Sequence, residues 1–409
     1  MNTYKSLTDS KYMEKFVHLI KSASLTLNNY QLQGVLWCIW NEIRPNPPSG
    51  IRGGIIADEM GLGKTITMIG VMYCNFEHHT LIVVPPILIN QWATEIERVS
   101  KHKPLIYYGA AVKKNISDQQ LSSAPIVITT YNTLICDKEG HLNNVKWDRI
   151  IYDEAHHVRN PKTKKFKSAH KVKAPIKWMV SGTPIQNKRA DLKSLCTILG
   201  CKGSGDLNEI KTQFLLRRTK QDVGINLPNI CTTTINVKWE SSEQTIAEEM
   251  HSMISGQTYV SSRKAADYVM TVDDEARLLI AFLRSRQLCI GIELLAEHLN
   301  SLCDDGSLPE NYRVNNPKQS SKMDSFMETI RERRDNNQGK IIFCHYRAEI
   351  DMIAKKLKQA GFVDIYTNDG RNTKEQFANA ISNAKVIILQ IQTGCEGINL
   401  QENFSEIYF

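Results

Sequence analysis

The chain has 409 residues, 42% of them apolar and 23% charged. That is ordinary globular usage, which excludes a disordered or fibrous chain and leaves material for two or three domains. Its 51 basic and 43 acidic residues leave a net charge of +8, too small an excess to define a partner by itself. No apolar run approaches the ~18 residues of a membrane span. The N-terminus has no apolar stretch followed by small residues, so no signal peptide and no membrane partner are expected. The ten cysteines include no Cys-x-x-Cys pair, so zinc is not expected, and they read as reduced thiols of an intracellular, reducing compartment.

In chain order, apolar runs alternate with helical patterns through the first half. Strands are expected over 54–57, 81–85, 105–108, 126–130, 149–152 and 176–180, with helices such as 64–76 and 87–99 between them. Such alternation predicts an α/β fold with a parallel sheet covered on both faces. A sheet of this kind holds its ligand at the carboxyl ends of its strands. From about 191 to 322 the pattern is helical with few strands. Strands at 340–344, 363–366 and 385–391 alternate with helices at 348–360 and 373–382 in a second, smaller α/β unit, which stops inside a strand-like run at 405–409 and is expected to be incomplete. The expected domains are an N-terminal extension (1–24), a first lobe (25–235), a helical connector and protrusion (236–322) and a second lobe (323–409).

Three segments carry the chemistry. Gly54-Ile-Ile-Ala-Asp-Glu-Met-Gly-Leu-Gly-Lys-Thr65 takes a buried strand through a glycine turn, with Gly61 and Gly63, into a helix start. Backbone N–H groups at such a turn cradle phosphates, Lys64 reaches the β/γ-phosphates and Thr65 binds Mg²⁺. The simple P-loop pattern has glycine where this chain has Asp58. Arg149-Ile-Ile-Tyr-Asp-Glu-Ala-His156 sets two carboxylates at a strand end. There Asp153 fits a magnesium ligand and Glu154 the base that orients water. His156 is either a link between nucleotide and polynucleotide contacts or simple polar packing. Trp178-Met-Val-Ser-Gly-Thr-Pro-Ile-Gln-Asn187 brings Ser181, Gly182 and Thr183 to the same edge, where hydroxyls can sense the γ-phosphate. Between Glu154 and Asp191 there are ten basic residues and no acidic one. This is either a solvated lysine-rich face or a phosphate-facing patch.

In this order the three segments resemble motifs I, II and III, with its DEAH-type box, of the SNF2 family of superfamily 2 helicase-like ATPases, in which aspartate at the position of Asp58 is usual. Tyr30-Gln31 resembles the glutamine motif that reads adenine, residues 81–92 resemble motif Ia and Ile128-Thr-Thr-Tyr131 motif Ib. Phe214-Leu-Leu-Arg-Arg-Thr-Lys-Gln-Asp-Val223 resembles the segment leading to the second lobe, residues 340–346 motif IV, and Thr393-Gly-Cys-Glu-Gly-Ile-Asn-Leu-Gln401 motif V. Cys395-Glu396 resembles the variant in SNF2-like helicases of large DNA viruses. Leu283-Arg-Ser-Arg-Gln-Leu-Cys289 resembles a subgroup that often carries a zinc RING insert, for which no ligand spacing exists here. No segment resembles the arginine-bearing motif VI, so the chain is expected to be a fragment or a poor ATPase alone.

The resemblance implies two RecA-like lobes, ATP and Mg²⁺ as cofactors, and translocation on double-stranded DNA that remodels or displaces bound proteins. The ATP set is then Gln31, Asp58, Gly61, Gly63, Lys64 and Thr65. Asp153 and Glu154 complete the catalytic set, while His156, Ser181, Gly182 and Thr183 couple it to movement. Implied DNA contacts are Gln91, Trp92, Thr129, Thr130, Gly397 and Asn399, with Trp92 equally readable as a core aromatic. The alternatives are a non-hydrolytic, ATP-responsive DNA-binding module and a strand-separating helicase. The expected location is the nucleus or a viral replication site.

Overall fold

Five of the first seven strands have an apolar centre and are buried along nearly their whole length, on both faces. In the computed structural model, β1 (Arg52–Ile56), β2 (Thr80–Val84), β3 (Leu105–Ile106), β4 (Ile126–Thr130), β5 (Arg149–Asp153), β6 (Ile176–Val180) and β7 (Leu215–Leu216) form one sheet. Its order is β3-β4-β2-β5-β6-β1-β7, and all its pairings are parallel. The structure describes residues 10–110, 115–137, 140–182, 189–201, 212–241, 282–304, 320–371, 383–391 and 402–409, with a few isolated positions between. These fall into two units, Met1–Asn229 and Ile230–Phe409.

In the first unit the two faces of the sheet are covered by different helices. Ile56, Ile82, Val84, Ile151, Trp178 and Val180 face α1 (Lys11–Ser22), α2 (Asn29–Ile43), α3 (Lys64–Cys74) and α4 (Ile89–Ser100). Their alternates Ile55, Leu81, Val83, Ile150, Tyr152 and Met179 face α5 (Asp118–Ser123), α6 (Tyr131–Cys136), α7 (His141–Asn144), α8 (Lys164–Lys171) and α9 (Arg189–Leu199). Burial on both sides is what makes a parallel strand read as a continuous apolar run. Residues 11–22, expected as part of an extension, form a helix whose Phe16, Leu19 and Ile20 are buried in the core.

One charged network is sealed inside this unit. Arg149, at the start of β5, donates from Nε to Glu42 Oε1 at 2.7 Å and from Nη2 to Oε2 at 2.6 Å, with both side chains fully buried. Trp178 Nε1 and Asn75 Nδ2 each add a 2.7 Å bond to the same carboxylate. Four donors on one buried carboxylate offset its desolvation, and they tie α2 to the central strands.

In the second unit β8 (Gly339–Cys344), β9 (Ile365–Asn368), β10 (Val386–Gln390) and β11 (Phe404–Tyr408) form a parallel sheet in the order β11-β8-β10-β9. One face packs on α11 (Ser321–Glu332) and α12 (Arg347–Gln359), and the other gathers Ile341, Ile387, Leu389 and Phe404. β9 starts two residues later than expected, because Asp364 takes a left-handed φ of 56° and breaks the extended run. Helix α10 (Glu293–Asp304) packs with Leu288, Ile292 and Val314 in a separate apolar cluster. No described helix is long and apolar enough to cross a membrane.

Candidate active site

Register brings three chemical segments to one edge. Ile56 and Asp153 both pair with Val180, so β1, β5 and β6 end level with one another. The chain then leaves β1 into the glycine turn, β5 into Glu154 and β6 into Ser181.

The turn closes on α3 through Gly63, whose φ of 78° caps the helix in the left-handed region. A Cβ there would stand 2.3 Å from Gln31 Nε2, which donates to the Leu62 carbonyl at 3.3 Å. The glutamine expected to read adenine therefore lies against the turn. Lys64 Nζ donates to the Asp58 carbonyl at 3.0 Å, and burial lowers its pKa while the Glu154 and Asp153 carboxylates pull it back. Thr65 occupies the first turn of α3, half-buried. A Cβ on Gly182 would stand 3.1 Å from Met60 Cγ and 3.4 Å from Lys64 Nζ, so the end of β6 abuts this turn. Ser181 is fully buried and donates its backbone N–H to the Ile56 carbonyl.

Asp153 is held from three directions. Its Oδ2 accepts from Trp92 Nε1 at 2.7 Å, its Oδ1 from the Glu154 N–H at 2.9 Å, and its carbonyl from the Tyr131 hydroxyl at 2.6 Å. Burial raises its pKa to about 6, against the Trp92 hydrogen bond that lowers it. Glu154 sits at φ 47°, ψ 50°, a left-handed backbone unusual for a non-glycine residue. Its Oε2 is buried and lies 3.1 Å from His156 Nδ1.

These groups fit a magnesium nucleotide. A carboxylate whose pKa is pushed up by burial, beside a second acid, is a place that a cation stabilises. Each Asp153 oxygen keeps lone-pair capacity beyond the hydrogen bond it already accepts. Thr65 and Asp153 are the residues that would hold the ion, and Lys64 with the backbone of the turn would hold the phosphates.

Several expected roles meet a different geometry. The Asp58 carboxylate is paired with Arg218, which donates from Nε at 3.1 Å and from Nη2, while its guanidinium also lies over the Tyr30 ring at 5.6 Å. Asp58 thus locks the glycine turn to the segment after β7, and only its carbonyl meets Lys64. Trp92 is 1% exposed and Thr129 and Thr130 have no exposed surface. Trp92 is bound to Asp153, Thr129 donates to the Tyr107 carbonyl at 2.9 Å, and Thr130 caps α6 by accepting from the Thr133 N–H. As they stand, these three side chains have nothing to present to a DNA phosphate. Gln91 is exposed. Thr183, Gly397 and Asn399 lie outside the described residues. Arg218 and Tyr131, which lie inside motif-like segments, carry roles that their sequence context does not announce. The arginine pair Arg217-Arg218 after the apolar run Phe214-Leu215-Leu216 is the available signal, and it does not distinguish the two.

The indole bond yields a direct test. Trp92→Phe keeps most of the buried ring but removes one bond to a carboxylate, worth roughly 1.5–3 kcal/mol for a charged partner. Titration of Mg²⁺ into the protein with fluorescent ADP is expected to need about tenfold or more Mg²⁺. An unchanged titration rejects a positioning role for Trp92.

Fold and site together define an α/β core with a P-loop-type nucleotide edge. Residues 30–209 match the model of the SNF2-related domain, in line with the resemblance of the motif order. A "Probable global transactivator" of Orgyia pseudotsugata multicapsid polyhedrosis virus is 26% identical over 91% of this chain and 78% of its own length. An "Uncharacterized ATP-dependent helicase" of Mycoplasma pneumoniae is 28% identical over 94% of this chain and 37% of its own. "DNA repair protein RAD5" of Candida albicans is 29% identical over 71% of this chain and 31% of its own. The chain therefore spans most of the viral relative and only about a third of the other two. The solved "Sulfolobus solfataricus SWI2/SNF2 ATPase core in complex with dsDNA" is 24% identical with a TM-score of 0.44, covering 89% of this chain and 78% of that one.

Proposed function

We propose that this protein is a DNA-dependent ATPase that translocates on duplex DNA and displaces or remodels DNA-bound proteins. The observation that carries the reading is the convergence of Lys64, Asp153, Glu154 and Gly182 at one sheet edge. The SNF2-related match and a relative named for DNA repair support it.

In this reading Gln31 reads the adenine and the backbone of the glycine turn binds the phosphates. Lys64 leaves the Asp58 carbonyl to meet the β/γ-phosphates. Magnesium, when bound, neutralises the charge that develops on the transferred phosphoryl oxygens. Asp153 stays fixed by Trp92 and Tyr131, so the ligand oxygens do not reorganise during turnover. Glu154 orients the attacking water, and its left-handed backbone sets the direction of that carboxylate. Ser181, Gly182 and Thr183 report the state of the γ-phosphate to the rest of the chain, with His156 beside Glu154 as the link. Binding is sequence-independent and salt-sensitive, because phosphate contacts carry no base information. The nucleus or a viral replication site suits this activity.

The test is ATP turnover by the 409-residue chain with no nucleic acid, single-stranded DNA, duplex DNA and duplex RNA, with Lys64→Ala as control. Strong stimulation by duplex DNA that Lys64→Ala abolishes is the expected result. Turnover indifferent to nucleic acid, or surviving Lys64→Ala in a folded protein, overturns it.

A further inference from the structure

Five of the ten basic residues between Glu154 and Asp191 form one defined surface. After Asp153 the chain makes a short 3-10 turn, Ala155–Val158, and enters α8, Lys164–Lys171. Phe166 and Ala169 are buried against the neighbouring core and fix the inward face of α8. At 100° per residue, Lys164, Lys167 and Lys171 fall together on the opposite face. All three are exposed, as are Lys162 before the helix and Lys173 after it. No ion pair involves any of these five lysines among the described residues.

This arrangement runs against helix stability. The first turn of a helix favours acids, because of its dipole and free N–H groups, yet here it carries Lys164 and Lys165 and no acid. Like charges at i,i+3 and i,i+4 repel by a few tenths of a kcal/mol each, and Lys164, Lys167 and Lys171 stand at those intervals. Thr163 caps the helix by accepting from the Phe166 N–H at 3.2 Å, and Lys171 in the last turn suits the dipole, so the unfavourable charge is concentrated at the start of the helix. Departures from local preference that remain in a folded protein tend to mark function. The neighbouring His170 has its pKa lowered by partial burial and then by Lys173 and Lys177, consistent with a concentrated positive field.

We propose that the outward face of α8, with Lys162 and Lys173 at its ends, is a binding surface for the phosphate backbone of duplex DNA. The inference rests on the proposed function and names where one unit of the chain grips its polymer. Lys164 to Lys171 spans about 10 Å of helix at ~1.5 Å per residue. One DNA strand carries a negative charge about every 3.4 Å along its axis, so the row matches roughly three successive phosphates. Lysines supply point charges without base reading, which suits movement along any sequence. The surface also lies on the connection between Asp153 and Ser181, so DNA held there touches the chain that joins two parts of the nucleotide edge.

The experiment measures binding of a fluorescein-labelled duplex by anisotropy across a KCl series. It compares the full chain with the triple variant Lys164→Gln/Lys167→Gln/Lys171→Gln. Each lost phosphate contact should lower the slope of log K against log salt by about one. The triple variant is therefore expected to lose about three units of slope and at least tenfold in affinity at low salt. Fluorescent ADP binding should be unchanged, and thermal stability equal or slightly higher as like charges are removed. A wild-type slope in the variant, with duplex still bound, overturns this surface and leaves the proposed function standing. No duplex binding by the wild-type chain overturns the proposed function and this inference with it. Poly-glutamate bound as tightly as duplex, with both lost in the variant, overturns the assignment to DNA in favour of an acidic protein.

Discussion

Arg149→Ala lowers the stability of the N-terminal unit by roughly 3–5 kcal/mol, because it leaves Glu42 charged and buried without its cation. The carboxylate would keep Trp178 and Asn75 but lose both guanidinium bonds. In a unit of this size each kcal/mol moves the melting temperature by about 2–4 °C, so a fall of about 6–20 °C is expected in calorimetry. The double variant Glu42→Leu/Arg149→Met should recover much of the loss, since it removes the stranded charge with the pair. A melting temperature near wild type for Arg149→Ala alone rejects the network as a determinant of stability.

Glu154→Gln is expected to bind ATP normally and to lower kcat by roughly 10²–10⁴, the usual contribution of a positioned general base. Amide and carboxylate have the same shape, so the left-handed turn at Glu154 and its contact with His156 need not change. Single-turnover hydrolysis together with fluorescent-nucleotide binding separates the two effects. Turnover close to wild type would remove Glu154 from the chemistry and leave its backbone strain unexplained.

The sequence was most legible where burial is two-sided. Strands β2, β4, β5 and β6 lie between two apolar layers, so each shows as an apolar run within a residue of its observed bounds. The glycine turn was legible for another reason: its spacing reflects backbone geometry that few residue types permit. β7 has two residues and pairs only with β1 among the described strands, so the apolar run Phe214-Leu215-Leu216 is too short to be told from a loop. The Asp58–Arg218 pair joins positions 160 apart in sequence, and no periodicity reports such a contact. Trp92 had two readings because an indole on an amphipathic helix looks the same whether it faces a partner or a core. Its 2.7 Å bond to Asp153 places it inside. Thr129 and Thr130 admit two readings, since a hydroxyl that caps a helix or meets a carbonyl is indistinguishable in sequence from one that meets a phosphate.

The sheet order has a consequence for synthesis on the ribosome. β1 is made early, but its neighbours are β6 and β7, which end at Val180 and Leu216. The strand carrying the glycine turn therefore waits 160 residues (216 − 56) for its outer neighbour. At roughly 5–20 residues per second this is about 8–32 s during which an apolar strand has emerged with an open edge. Arg218, which closes on Asp58, follows two residues later. The nucleotide edge is thus among the last parts of the unit to assemble, and an unfinished chain cannot present it.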